Sequence, residues 1–341
     1  MIYPKFPKSG DVIGICAPSA GAGSKLDSFD LSLDTLHELG FETYETESVR
    51  ADGCPSAPAD QRGYEFNSLF ADPDISMVMS ASGGDYTMEM LPYIDQELLR
   101  SCPKWFSGYS DPTSIEMLLT TKLDIASIYG ANAGAWDWRP LHEFQENSLS
   151  VLCGEIPVQH SYDAWAAMGY DEELDEYPMI APVEWTLLVS PRGSDEFEEL
   201  SELEVSGRLI GGCTDVIDWI VGTPYEDLKG FAERYKDDGL IWFFDTFDLN
   251  PMQLMYAVLR LRQIGLFDHA EAVIFGRVCF SGEATDIDYL VQLERVFAGT
   301  GIPVIWGADI GHTKPSMTLI NGAMGHLTYS FGDAALEMEL I

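Results

Sequence analysis

Short apolar runs alternate with helical patterns through the first 150 residues, and this alternation limits the possible folds more than any other feature of the sequence. The runs at residues 12–17, 41–46 and 75–80 predict buried strands. Between them, residues 29–39 and 59–70 have helical spacing. Strands that alternate with helices form a mostly parallel sheet with helices on both faces. The sequence therefore predicts an N-terminal doubly wound α/β domain.

The chain divides into three parts with different patterns. Its 341 residues exceed the roughly 250–300 at which a single core stops growing, which favours two domains. Residues 1–150 carry the alternation, 151–205 are rich in Glu, Asp and Pro and are interpreted as a connecting region, and 206–341 are interpreted as a smaller C-terminal α/β domain. Further predicted elements are helices at 88–99, 113–122 and 251–263, strands at 105–106, 125–129, 240–244, 272–275 and 304–306, and a hairpin at 323–340.

The charge of the chain excludes one broad class of function. Asp and Glu total 56 against 19 Lys and Arg, for a formal net charge of -37, and such a surface repels nucleic acid. No apolar stretch reaches the roughly 18 residues of a membrane span, and no signal-peptide pattern opens the sequence, so a cytoplasmic location is expected. The six Cys and six His have no metal-ligand spacing, so the sequence predicts no metal and no cofactor.

Residues 108–112 (GYSDP) lie between a predicted strand and a predicted helix, as the nucleophile elbow of a serine hydrolase does. A sharp turn there would raise the Ser110 hydroxyl above the sheet edge, and the N–H of Asp111 would stabilise an oxyanion. The alternative is a plain helix start, in which Ser110 or Asp111 caps the helix and Thr113 and Glu116 form a capping box.

The second candidate loop is Ser82-Gly83-Gly84-Asp85, which follows the strand that ends at Ser80. Two adjacent glycines let the backbone approach a substrate closely and direct N–H groups at it. We therefore expect all four residues near the substrate, with the N–H of Gly84 as a second oxyanion donor. An ordinary strand-to-helix turn is the alternative.

A general base and its acid are expected at the ends of two later strands. His312 lies in a loop after the strand at 304–306, a position from which an imidazole can remove a proton. Asp245 ends the strand at 240–244, and Asp248 follows three residues later. Either carboxylate, or neither, could orient the histidine and stabilise its cation.

Seven segments together resemble the LD-carboxypeptidase family of serine peptidases, which includes muramoyltetrapeptide carboxypeptidases and microcin C self-immunity peptidases. They are GDVIGICAPSAG (10–21), SGGDYTMEMLPYID (82–95), PKWFSGYSDPTS (103–114), GRLIGG (207–212), GTPYED (222–227), IFGR (274–277) and GHTKP (311–315). Their order and spacing run over nearly the whole chain.

The resemblance implies a Ser-His-Glu triad. Ser110 matches the family serine and His312 the family histidine, while Asp245 aligns with the family glutamate and is one methylene shorter. The resemblance also implies a homodimer. Because Ser110 falls in the first predicted domain and the other two residues in the second, the site is expected to assemble at the domain interface.

Trp185 is a further candidate for substrate binding. The immunity branch of the family places an aromatic residue near its substrate in a comparable loop, so Trp185 could stack on a nucleobase or a peptide. Packing is the alternative, since large aromatic side chains mostly serve burial.

The resulting hypothesis is a serine carboxypeptidase that releases a terminal D-amino acid from a cytoplasmic murein peptide during recycling. Its partner is a small peptide or peptide-like substrate, not nucleic acid or a membrane. One alternative is an immunity-type hydrolase that acts on peptidyl or aminoacyl adenylate analogues. A second alternative is a non-catalytic homologue that only binds peptide.

Overall fold

The computed structural model describes residues 1–167, 178–280 and 287–341. Within this part of the chain, contacts divide the molecule into two compact units. The first unit consists of Met1–Ile156, Gly222–Asp227 and Thr318–Gly322. The second unit consists of Pro157–Val221, Leu228–Met317 and Ala323–Ile341. Both units have α/β architecture, as expected from the sequence.

The first unit is built on a six-stranded sheet whose strands come mostly from the alternating N-terminal region. Its strands are β1 (Val12–Cys16), β2 (Glu42–Glu45), β3 (Ile75–Ser80), β4 (Trp105–Gly108), β5 (Ser127–Tyr129) and, far along the chain, β15 (Leu319–Asn321). Its helices are α1 (Leu26–Glu38), α2 (Ala59–Ala71), α3 (Thr87–Met90), α4 (Gln96–Ser101), α5 (Thr113–Met117) and α6 (Glu143–Leu152).

The strand order in this sheet is β15-β5-β4-β3-β1-β2, and β1 to β5 pair in parallel. Only the edge strand β15 runs antiparallel, against β5. The central strands are buried because helices cover the apolar runs that predicted them. The predicted parallel sheet is therefore confirmed, and the carboxyl ends of β3 and β4 lie side by side.

The predicted helix at residues 88–99 is interrupted in the structure. The chain instead forms α3, a 3₁₀ turn at Leu91–Tyr93, and then α4. Pro92 cannot donate a helical hydrogen bond, and Asp95 starts the next helix by accepting from the N–H groups of Glu97 and Leu98. The helix predicted at 113–122 is α5 followed by a π turn at Leu118–Lys122.

The second unit is built on a nine-stranded mixed sheet with the order β10-β9-β14-β13-β12-β11-β16-β17-β6. The strands are β6 (Gln159–His160), β9 (Thr186–Val189), β10 (Glu198–Glu199), β11 (Glu202–Cys213), β12 (Leu240–Asp245), β13 (Ala270–Gly276), β14 (Val304–Ala308), β16 (Met324–Ser330) and β17 (Asp333–Glu339), beside a separate pair, β7 (Ala164–Trp165) and β8 (Ala181–Pro182). Its helices are α7 (Thr214–Ile220), α8 (Leu228–Arg234), α9 (Pro251–Gln263) and α10 (Tyr289–Phe297).

Strands β11 to β14 run parallel and form the centre of this sheet. The hairpin predicted at residues 323–340 is confirmed as β16 and β17, with Phe331 and Gly332 at positive φ in the turn. None of the described helices combines the length and the apolarity needed to cross a bilayer.

The expected connecting region at residues 151–205 differs from what the structure forms there. Residue 157 already belongs to the second unit, and β6, β9 and β10 add edge strands to its sheet. These strands are two to four residues long; β9 pairs with the distant β14 and β6 with the distant β17, while β10 pairs with β9. Strands this short leave no periodic pattern in the sequence, and the second unit carries the larger sheet because it includes them.

Candidate active site

Ser110 occupies the tight turn that joins β4 to α5 in the first unit. Its φ of 70° lies in the left-handed region, which non-glycine residues rarely adopt, and its carbonyl accepts from the N–H of Thr113 at 3.0 Å. Strained backbone of this kind is typical of a nucleophile elbow. The alternative capping box is absent, because no side chain caps α5 and Glu116 is fully buried, where burial raises its pKa well above the usual value.

Asp111, the next residue, uses its side chain to hold the neighbouring loop. Its buried carboxylate accepts from both the N–H and the hydroxyl of Thr87, each at 2.8 Å. Burial raises the pKa of Asp111, and its hydrogen bonds with Ser19 and Thr87 oppose that shift. The carboxylate therefore fixes the start of α3, while the backbone N–H of Asp111 remains the predicted oxyanion donor.

The glycine loop lies directly beside Ser110. A Cβ atom added at Gly83 would come within 3.2 Å of both Cβ and Oγ of Ser110. Gly84 has a φ of +132°, and a Cβ there would stand 2.4 Å from Oγ of Ser19 and 2.8 Å from Sγ of Cys54. Gly84 therefore requires glycine, and at Gly83 a side chain would make a tight contact with Ser110.

Two observations bear on the predicted roles of this loop. No backbone–backbone hydrogen bond uses the N–H of Gly84 or Asp111 in the described part of the chain. Ser82 is half-buried, and its carbonyl accepts from the hydroxyl of Ser80 at 2.7 Å, whereas Asp85 is exposed. The substrate-binding roles of Ser82, Gly83 and Asp85 stay predictions.

A buried arginine that sequence analysis missed holds the loops around the elbow. Arg62 on α2 donates to the carbonyls of Ala57, Pro18 and Tyr86 and pairs with Glu89 at 3.1 Å. Burial lowers the pKa of its guanidinium, and the charge of Glu89 opposes this shift. The only signal in the sequence is a basic residue on the inward face of an amphipathic helix, which is weak evidence for such a role.

In the second unit, Asp245 lies against His312. Oδ2 of Asp245 is 2.7 Å from Nδ1 of His312, a distance within hydrogen-bonding range although the ring nitrogen is not well aligned with the oxygen. Oδ1 of Asp245 accepts from the backbone N–H of His312 at 3.2 Å. Asp245 is fully buried at the end of β12, and its carbonyl accepts from the hydroxyl of Thr214. The shorter side chain therefore reaches the histidine.

Asp248, the alternative acid, lies in the loop after β12 and contacts Asp215. Its backbone N–H donates to Asp215 at 3.2 Å, and its side chain hydrogen-bonds to that carboxyl group. This contact occupies Asp248 with Asp215, and Asp245 is the acid that contacts His312.

Gly311 makes the contact between Asp245 and His312 possible. Its φ is +104°, and an added Cβ would stand 1.9 Å from Oδ1 of Asp245.

We expect Gly311→Ala to push the carboxylate away from His312 and to lower kcat by roughly a hundredfold, because misplacing a catalytic group by about 1 Å has this effect. Gly332→Ala is the matched control, since Gly332 has a φ of +98° with no atom within 4 Å of its added Cβ. Steady-state kinetics should show near-normal kcat for the control, and equal losses in both variants would contradict this role of Gly311.

A buried ion pair supports the loop that carries His312. Nη1 of Arg277 lies 2.6 Å from Oδ1 of Asp309, and the guanidinium also donates to Oγ1 of Thr313 and the carbonyl of Pro315. Burial lowers the pKa of Arg277, while the charge of Asp309 opposes the shift. Arg277 thereby contacts the chain on both sides of His312, at Asp309 before it and at Thr313 and Pro315 after it.

Trp185 belongs to the same buried network. Its indole N–H donates to Oδ2 of Asp309 at 3.0 Å, and its carbonyl accepts from the hydroxyl of Tyr329. The side chain is 3 % exposed, so its faces are covered by protein. This burial and the bond to Asp309 are what the packing alternative predicts, and the substrate-binding role of Trp185 stays a prediction.

Comparison with protein families gives two matches that together span most of the chain. Residues 13–130 match the model of the LD-carboxypeptidase N-terminal domain, and residues 206–327 match the model of the LD-carboxypeptidase C-terminal domain. The first range includes Ser110, and the second includes Asp245 and His312.

Three relatives are similar along nearly their full length. A Vibrio cholerae protein, named provisionally as a carboxypeptidase, is 27% identical to this chain. The match covers 99% of this chain and 98% of the Vibrio protein. The microcin C7 self-immunity protein of Escherichia coli is 25% identical, over 91% and 88%. A probable murein peptide carboxypeptidase of Bacillus subtilis is 24% identical, over 98% and 94%.

Solved structures show the same fold. A microcin C7 self-immunity protein in complex with aspartyl sulfamoyl adenosine has a TM-score of 0.82 and 23% identity, covering 100% of this chain and 99% of the other. The muramoyltetrapeptide carboxypeptidase of Oxalobacter formigenes has a TM-score of 0.70 and 21% identity, covering 96% and 99%.

Proposed function

Because the chain belongs to the LD-carboxypeptidase family, we propose that it is a serine carboxypeptidase that cleaves an L,D-peptide bond and releases a terminal D-amino acid from a murein peptide. The observation that carries this proposal is the contact of 2.7 Å between the carboxylate of Asp245 and Nδ1 of His312. A buried carboxylate at Nδ1 directs the basic Nε2 nitrogen toward a nucleophile. The contact also argues against a homologue that has lost its acid.

In the first half of the proposed reaction, Nε2 of His312 takes the proton of the Ser110 hydroxyl. Oγ of Ser110 then forms a bond to the carbonyl carbon of the substrate, whose oxygen becomes an oxyanion. The N–H groups of Gly84 and Asp111 stabilise that charge, and losing one such donor typically costs on the order of a hundredfold in rate. Collapse of the intermediate breaks the C–N bond, and His312 returns the proton to the departing D-amino acid.

In the second half, water attacks the acyl-enzyme. His312 takes a proton from the water as its oxygen bonds to the acyl carbon, and then gives that proton back to Oγ of Ser110 as the ester bond breaks. The products are the shortened peptide with a free carboxylate and the regenerated enzyme. Asp245 stabilises the imidazolium that forms in each half of the reaction.

A second candidate substrate is supported by the similarity to the microcin C7 self-immunity protein. In that case the same serine chemistry acts on an aminoacyl or peptidyl adenylate analogue. The triad is common to both hypotheses, and the substrate distinguishes them.

The test compares the purified protein with its Ser110→Ala variant. Each is incubated with murein tetrapeptide and, separately, with an aminoacyl sulfamoyl adenosine. The products are analysed by mass spectrometry. We expect the wild type to release one D-alanine from the tetrapeptide and the variant to release none. If the wild type cleaves only the aminoacyl sulfamoyl adenosine, the murein substrate is rejected in favour of an adenylate-type substrate. Equal cleavage by both proteins would refute Ser110 as the nucleophile, and absence of cleavage of either compound would favour the peptide binder.

A further inference from the structure

The ring of Phe247 packs directly on the imidazole of His312. The two ring centroids are 4.7 Å apart and the rings are inclined by 50°. On its other side, Phe247 contacts Phe280 edge-on at 5.0 Å, and the carbonyl of Phe247 accepts from the N–H of Phe280 at 2.8 Å. Phe247 therefore lies between the Phe280 ring and the His312 imidazole.

The backbone of Phe247 is fixed from the other direction by Asp215. This carboxylate, in the first turn of α7, is buried and accepts from the N–H of Phe247 at 3.1 Å and from the N–H of Asp248 at 3.2 Å. When the Asp215 carboxylate is ionised, both bonds are charge-assisted and therefore stronger than hydrogen bonds between neutral groups. They hold the loop after β12 in one conformation.

We propose that Asp215 and Phe247 are positioning residues for the general base, with Asp215 fixing the backbone of Phe247 so that its ring holds the His312 imidazole against Asp245. This inference rests on the proposed function, in which His312 takes the proton of Ser110. Neither residue touches the reacting atoms in this scheme. Neither was singled out by sequence analysis, because their effect depends on contacts between separate elements.

The charges around Asp215 give the inference a pH signature. Burial raises the pKa of Asp215 to about 6, and the N–H groups of Phe247 and Asp248 act in the opposite direction. The titratable groups that face it in the described part of the chain are Cys213, Asp245, Asp248 and, from α10, Tyr289. Above about pH 6 the ionised carboxylate accepts both N–H donors, and below it the protonated group resembles an asparagine side chain.

The experiment measures how fast Ser110 is acylated by p-nitrophenyl acetate, using intact-protein mass spectrometry from pH 5 to pH 8 and Ser110→Ala as the blank. This probe does not depend on the natural substrate. At pH 8 we expect Asp215→Asn to slow acylation roughly tenfold to a hundredfold, because small displacements of a catalytic group have effects of this size. Toward pH 5 its rate should approach that of the wild type, whose Asp215 is then protonated.

Two variants of Phe247 complete the experiment. Phe247→Leu removes the ring and changes no titrating group, so it should slow acylation at every pH. Phe247→Tyr keeps the ring and should be acylated at the wild-type rate. Wild-type rates for Asp215→Asn at pH 8, or equal slowing by Leu and Tyr at position 247, would overturn the positioning role. If the wild type itself is not acylated above the blank, the serine mechanism fails and the positioning role falls with it. Acylation of the wild type without tetrapeptide cleavage rejects only the murein substrate.

Discussion

Asp245→Asn is expected to lower kcat by roughly 10⁴-fold while leaving the fold and KM nearly unchanged, since this is the usual effect of replacing a triad aspartate by asparagine. The amide is the same size as the carboxylate. In the wild type, the backbone N–H of His312 donates to Oδ1 of Asp245 at 3.2 Å, and the amide oxygen can accept the same bond. Its NH₂ group, however, would face Nδ1 and favour the imidazole tautomer with the proton on Nε2. That tautomer cannot accept the Ser110 proton.

Asp248→Asn is the matched control for this prediction. It removes a carboxylate from the same loop, but one that contacts Asp215 and not His312. We expect it to lower kcat by less than about tenfold, because it leaves the acid–histidine pair intact. Comparable losses in the two variants, measured by steady-state kinetics with circular dichroism as a check on folding, would mean that Asp245 has no special role.

The parts of the fold that follow from local sequence were predictable. An apolar run predicts the strand Ile75–Ser80. A glycine suited to a tight turn predicts the hairpin, and Gly332 has a positive φ there. The elbow at Ser110 was likewise visible, because a strand, a short loop and a helix succeed one another within about ten residues. A seven-segment resemblance then connected that loop to His312.

The parts that depend on distant contacts were not predictable. Strand β9 becomes part of a sheet only through its pairing with β14, more than a hundred residues later. Arg62 and Arg277 look like ordinary charged residues in the sequence, yet each is buried because several carbonyls or a carboxylate converge on it. Trp185 is a similar case, since its sequence left both substrate binding and packing open, and only the structure shows that its indole N–H donates to Asp309.

The homodimer, the cytoplasmic location and the expected domain boundaries stay predictions, since the comparisons and the fold of each unit do not test them. The contact-based division starts the second unit at Pro157, whereas the sequence predicts a connecting region up to residue 205. Limited proteolysis is a direct measurement here. Cleavage near residue 156 would support the contact-based division, and cleavage near 205 would support a separate connecting region.

Arg277→Met is expected to destabilise the second unit by about 3–5 kcal/mol, the usual effect of removing one partner of a buried ion pair. Methionine fills much of the same volume, but it leaves the fully buried carboxylate of Asp309 without its cation. The N–H of Tyr162 and the indole N–H of Trp185 still donate to Asp309, and they offset only part of that loss. Urea unfolding followed by tryptophan fluorescence should show the lower midpoint.

Two further variants separate the buried charge from the lost packing. Arg277→Met combined with Asp309→Asn should recover part of the stability, because no unpaired charge is then buried. Arg260→Met removes a comparable ion pair, 2.9 Å from Asp218, whose arginine is 43% exposed, and should cost less than about 1 kcal/mol. If the double variant is no more stable than Arg277→Met alone, the guanidinium acts through its bonds to Thr313 and Pro315 and not through its charge. In that case the loss would still fall on the segment that carries His312, because Thr313 is the next residue and Pro315 is three residues further along than His312.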